Sequence, residues 1–150
     1  MKSQLNKLVA VLLLFIAYSF YTLPAYSQTG SSLSAVVLPS ASRAATQTVS
    51  ADIANTQWRG GHFVINVTTI SGVTLTPTIQ GKDNVSGNYY DILVGNAINA
   101  TGTTVLKVYP GIVPVSGASA ADILPRTIRL KMSASGVTPT TFSAGATLEY

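Results

Sequence analysis

The sequence has no cysteine and one histidine, His62. A disulfide framework and a thiolate metal site are therefore excluded, and the common imidazole clusters are out of reach. Charge is also scarce: nine Lys and Arg and five Asp and Glu make up 9% of 150 residues, against 47% hydrophobic ones. A charge-expanded disordered chain is excluded by that balance, and the length fits one domain. No serine sits in a G-x-S-x-G elbow, and neither a Walker A sequence nor a G-x-G-x-x-G follows a strand pattern. The acids Asp52, Asp83, Asp91, Asp122 and Glu149 are all a carboxylate pair could draw on, and most fall in turns or at strand ends. His62, beside Gly60-Gly61, reads as a solvent-facing strand residue with no catalytic partner. No enzyme and no cofactor are expected.

Residues 1–27 read as a secretory signal peptide, expected to form a helix. Lys2 and Lys7 supply the positive start, Leu8 to Phe20 the apolar stretch, and Ala25-Tyr26-Ser27 a small-x-small site, placing cleavage between Ser27 and Gln28. Pro24 keeps the chain extended where a peptidase reads it. The competing reading retains Leu8 to Tyr26 as a membrane anchor, the only membrane association expected. Without the leader, seven bases face five acids, so the mature chain carries +2 and the pI of about 9.5 describes no basic face. Arg43, Arg59, Lys82, Lys107, Arg126, Arg129 and Lys131 form no tract, and nucleic acid is not an expected partner. Export to the periplasm or the cell exterior follows from the leader. Sequons at Asn66, Asn84 and Asn99 arise by chance in so Thr- and Asn-rich a chain.

Residues 28–34 are small and polar and read as a flexible arm; 35–150 form the folded domain. Period-2 alternation dominates after a first strand near Ala35 to Leu38. In Gly61 to Thr69, Phe63, Ile65 and Val67 share one face; in Val73 to Gln80, Val73, Leu75, Pro77 and Ile79 do. Ser71-Gly72 reads as a tight hairpin between these two strands, and Pro77 as the mark of an edge or bulge. The turn-rich Gly81 to Asn88 predicts a second hairpin, into Tyr89 to Val94. Thr103 to Tyr109, Arg126 to Ser133 and Thr140 to Leu148 alternate likewise, separated by an irregular Ile112 to Pro125 with a short helical turn near Ser119 to Asp122. About eight strands with no mature helix imply an all-β antiparallel sandwich, jelly-roll or immunoglobulin-like.

Aromatic side chains are the first candidates for binding, being large and rigid. Tyr90 reads as inward-facing, leaving Trp58 and Tyr89 as expected surface residues able to stack on sugar rings or anchor a protein. The polar face of the strand after Pro125 presents Thr127, Arg129 and Lys131, a second candidate surface. Asp83, Asn84 and Asp91 lack the dense alternating carboxylates of a calcium loop and read as turn formers; no metal site is expected.

Four stretches in series carry a family resemblance: Leu75-Thr76-Pro77-Thr78-Ile79-Gln80-Gly81-Lys82-Asp83; Ser86-Gly87-Asn88-Tyr89-Tyr90-Asp91-Ile92-Leu93; Thr101-Gly102-Thr103-Thr104-Val105-Leu106-Lys107-Val108-Tyr109-Pro110-Gly111; and Ile123-Leu124-Pro125-Arg126-Thr127-Ile128-Arg129. In this order, over about Thr46 to Leu148, the chain resembles small virion structural proteins of tailed phages and prophages. The resemblance implies a non-enzymatic β-sandwich accessory of the particle, a capsid decoration or head-fibre component. Its expected partner is a protein surface, with self-association into a homo-oligomer a further expectation, and its location is the virion if phage-encoded. The alternative is a secreted carbohydrate-binding or adhesive module using Trp58 and Tyr89.

Overall fold

The computed structural model describes residues 32–150; the expected leader, its expected cleavage site and residues 28–31 of the expected arm lie outside them. The strands are β1 (Ser32–Arg43), β2 (Gln47–Val49), β3 (Ile53–Ala54), β4 (Gly60–Thr69), β5 (Leu75–Lys82), β6 (Tyr89–Val94), β7 (Gly102–Val108), β8 (Ser119–Ala120), β9 (Thr127–Ala134) and β10 (Thr140–Glu149). They form two sheets, ordered β1-β10-β4-β7-β8 and β2-β9-β5-β6, with β3 also against β9. All pairings are antiparallel except β7 with β8.

The pairing is nested. Leaving out the two-residue β3 and β8, the outermost strands of the chain pair as β1 with β10, then β2 with β9, β4 with β7, and β5 with β6. Such a nest folded across two sheets is a double-sheet jelly roll, which decides between the two sandwich topologies left open by the strand pattern. Alternation explains why the sheets face each other. Phe63, Ile65 and Val67 of β4, Leu106 and Val108 of β7, and Phe142 and Leu148 of β10 are buried against Leu75 and Ile79 of β5, Leu93 of β6, and Ile128, Leu130 and Met132 of β9. Each such large side chain contributes about 1.5–3 kcal/mol by leaving water.

Four local expectations are corrected. Ser32, Leu33 and Ser34 belong to β1, in register with Glu149, Leu148 and Thr147, because their main-chain groups continue the β10 ladder whatever their side chains are. Ser71-Gly72 does not close a hairpin: β4 and β5 lie in different sheets, and Gly72, at φ 68°, turns the chain from one to the other. Pro77 lies in an interior strand between β9 and β6. It is tolerated because the β6 ladder begins one residue later, at Thr78 opposite Val94, and Pro77 contributes only its carbonyl, which accepts from Gly95 N–H at 2.7 Å. The segment expected to make a helical turn instead places Ser119–Ala120 parallel to β7, with Lys107 N–H donating to Ala118 O at 2.9 Å.

Candidate functional site

The outward face of the second sheet gathers most of the polar candidates. β9 turns Thr127, Arg129 and Lys131 outward because Ile128, Leu130 and Met132 fill the core. The register sets Gln80 of β5 between Arg129 of β9 and Asp91 of β6, and Lys82 opposite Tyr89. The turn between β5 and β6 is built by Asp83, whose carboxylate accepts from Val85 N–H, Ser86 N–H and the Ser86 hydroxyl, with Gly87 at φ 74°. Those bonds, the Ser86 hydroxyl foremost, hold the Asp83 carboxyl below the usual carboxylate range. This aspartate is a turn residue, as the sequence implied.

Asp52 reaches the same face from the gap between β2 and β3. There Ser50 replaces a strand residue: its N–H donates to Leu130 O at 2.9 Å and its hydroxyl accepts from Leu130 N–H at 3.0 Å. The next loop residues are thereby fixed to β9. The Tyr89 hydroxyl donates to both Asp52 oxygens, at 2.7 and 2.9 Å, and Lys82 Nζ lies 3.3 Å from Oδ2. The Tyr89 bond chiefly, assisted by Lys82, draws the Asp52 carboxyl below its ordinary value despite some desolvation.

A connected surface network results. Arg129 Nε donates to Gln80 Oε1 at 2.9 Å, Gln80 Nε2 donates to Asp91 Oδ1 at 2.6 Å, and Lys131 Nζ stands 3.7 Å from the same oxygen. The Arg129 guanidinium lies 3.2 Å from the Tyr89 ring centroid, and Lys82 Nζ 5.2 Å from it. Gln80, although on the outward face, is buried beneath its neighbours. Among the described residues no buried side-chain N or O lacks a hydrogen-bond partner, and no group of three or more His, Cys, Asp and Glu could hold a metal. Chemically the face is a rigid, pre-paired platform of three cations, two carboxylates and one aromatic ring.

Tyr89, Arg129 and Lys131 thus come together, with Thr127 at the end of the same row. Trp58 does not join them, and the expectation of an exposed tryptophan is corrected. Its side chain is buried in the core, edge-on to Tyr150 with centroids 6.0 Å apart. Buried Asn55 holds it there: Asn55 Nδ2 donates to Trp58 O at 2.7 Å, Leu124 O at 3.1 Å and Pro125 O at 3.2 Å, while Oδ1 accepts from Trp58 N–H at 2.8 Å. Tyr90, expected inward, is 46% exposed; it overhangs Gly81 at the end of the sandwich, where a Cβ on that glycine would meet its ring. Asp91, expected to form a turn with Asp83 and Asn84, instead lies within β6 opposite Gln80; Asp52, Lys82 and Gln80 are members of this face that the strand pattern does not mark as a site. Part of the signal was present, since Gln80 and Lys82 stand at mirrored positions to Tyr89 and Asp91 about one turn.

No family model matches the chain, and no curated protein matches it. Among solved structures, that of infectious bursal disease virus Gx strain aligns with 78% of this chain and 31% of its own, at 12% identity and a TM-score of 0.44. The Gt strain structure of the same virus aligns with 79% and 30%, at 13% identity and a TM-score of 0.37. This chain therefore spans under a third of either. At those scores the jelly-roll assignment rests on the strand order alone, and neither structure is named as a tailed-phage protein.

Proposed function

We propose that the protein is a non-enzymatic structural module that attaches to another protein's surface, in the manner of a virion decoration component. The observation that carries this reading is the Tyr89–Arg129 stack at 3.2 Å, locked by Asp52 and Gln80 on the outward face of the second sheet. Tyrosine and arginine are the residue types that dominate protein interfaces, and a pair already immobilised loses little side-chain entropy on binding. The series resemblance to phage virion proteins supports the same reading. The jelly roll itself is shared by capsid and lectin domains, so it supports the decoration and the carbohydrate readings alike.

The geometry favours the first over the second. Sugar stacking needs an open aromatic face, whereas Trp58 is buried and the Tyr89 ring already has a guanidinium and an ammonium over it. The test is quantitative mass spectrometry of extracellular particles and of the soluble secreted fraction, from cells making the native protein or the Tyr89→Ala, Arg129→Ala double variant. Fixed stoichiometry of the native protein with particles, lost in the variant, is the expected result. A native protein found only in the soluble fraction and retained on immobilised glycans would overturn it.

A further inference from the structure

The four sheet edges are unequally protected. In the first sheet the far edge is closed by β8 and the preceding loop, which supply carbonyls to Lys107 N–H and Tyr109 N–H. In the second sheet β2 has only three residues and β3 two, and at the β6 edge the register with β5 shifts between Ile79 and Gln80. Short strands and bulges are the usual defences against pairing with another chain. The remaining edge is β1, and it is defended over half its length. Past Val36 there are two register shifts, the first between Val36 and Leu38, and a proline, and Arg43 donates to Pro39 O at 2.6 Å and Ala41 O at 3.0 Å. From Ser32 to Val36 none of these devices is present: the register with β10 is unbroken, the segment is uncharged, and no described strand lies on its other side.

We propose that Ser32–Val36 is a self-association edge, and that two copies of this chain pair there antiparallel about a two-fold axis. A free strand edge presents N–H and C=O groups whose natural partner is another strand, and an antiparallel pair of identical strands is self-complementary. The absence of charge between Ser32 and Ser42 lets like copies approach without repulsion. Val36 side chains, 79% exposed, gain cover in the pair. They also begin an apolar row that crosses the sheet through Gly145 to the partly exposed Val64 and Val105, so the dimer sets two such rows end to end. This inference stands on the sheet edge and does not depend on the attachment role proposed for the opposite face.

The test is sedimentation equilibrium of the purified native protein, with hydrogen exchange of the Ser32–Val36 amides. A dimer is expected, falling to half its mass in Val36→Lys, which still unfolds in one cooperative urea transition no longer dependent on protein concentration, with faster amide exchange in the variant. Val105→Lys, on the sheet face away from the edge, should remain dimeric. A native monomer at every concentration overturns the proposal, including one whose Ser32–Val36 amides are protected, since the edge is then filled from within its own chain. A dimer that Val105→Lys dissociates and Val36→Lys does not overturns it in favour of face-to-face packing.

Discussion

Asn55 is the polar group whose removal should cost most. Its side chain lies buried beside Trp58 and Leu124 and satisfies main-chain groups from two separate segments. An amide offers two N–H donors and one carbonyl, so the three carbonyls around Nδ2 share two protons and the fourth contact uses the oxygen. Asn55→Ala therefore deletes about three bonds of about 1 kcal/mol each and strands one N–H and at least two carbonyls, a loss of about 3–4 kcal/mol. With a urea dependence of about 1.5–2 kcal/mol/M for a chain of this size, the midpoint falls by about 2 M. Trp58, the only tryptophan, reports this transition by fluorescence without a label. Asn55→Asp separates hydrogen bonding from volume. It keeps the shape but aims a carboxylate at the carbonyls of Trp58, Leu124 and Pro125, which raises its folded pKa above the ordinary carboxylate value of about 3.9. A raised folded pKa means the penalty is full above that pKa and shrinks as pH falls through it. Asn55→Asp should thus be at least as unstable as Asn55→Ala at pH 7 and recover relative to it towards pH 4. A midpoint shift under 0.5 M for Asn55→Ala, or an aspartate variant as stable as the native protein at pH 7, would refute this account of the site.

The Asp52 carboxyl, followed by NMR, should titrate below its ordinary value in the native protein and move upward in Tyr89→Phe. Because its folded pKa is depressed, the stability it contributes is present above the unfolded value and is lost as pH falls through the folded one. Leu130→Ala, at a fully buried position between the sheets, should cost about 2–5 kcal/mol in urea unfolding. Gly117→Ala should be worse than Gly87→Ala. Both glycines have positive φ, 71° and 74°, but a Cβ at Gly117 strikes the Asn96 side chain whereas Gly87 faces open space. The strain common to both is about 1–2 kcal/mol, so equal unfolding midpoints would show that the Asn96 contact yields freely.

Alternation made the inward and outward residues of β4, β9 and β10 legible, because a strand half-buried in a sandwich must place Phe63, Ile65 and Val67 on one side and His62, Asn66 and Thr68 on the other. It carried no record of which strand lies beside which. Ser71-Gly72 has the composition of a hairpin turn, yet the same two residues let the chain cross to the opposite sheet; only the pairing of β4 with β7 and of β5 with β9 distinguishes these outcomes. The burial of Trp58 is illegible in the sequence for a related reason. Nothing in its local pattern shows that Asn55, three residues earlier, is itself buried and bound to Leu124 and Pro125 from a loop 69 residues away.

The outer faces of the two sheets carry their polarity differently, and this follows from their edges. In the second sheet Asp52 enters from the β2–β3 gap and, with Asp91, gives the neighbouring cations acidic partners, so Lys82, Arg129 and Lys131 can stand close together. Among the described residues the first sheet carries no salt bridge. Along its middle row Val36, Gly145, Val64 and Val105 stand in register, and the hydrogen bonds of this outer face are few and weak, such as Ser34 to Thr147 at 3.3 Å. A face with fixed charges and a stacked aromatic suits orientation-specific contact, because misaligned charges repel. A plain apolar row ending at the undefended Ser32–Val36 half of β1 suits contact set mainly by main-chain hydrogen bonds. Substitutions on one face should therefore leave the other's binding unchanged, and a Tyr89→Ala protein that still dimerises would show that the two surfaces act independently.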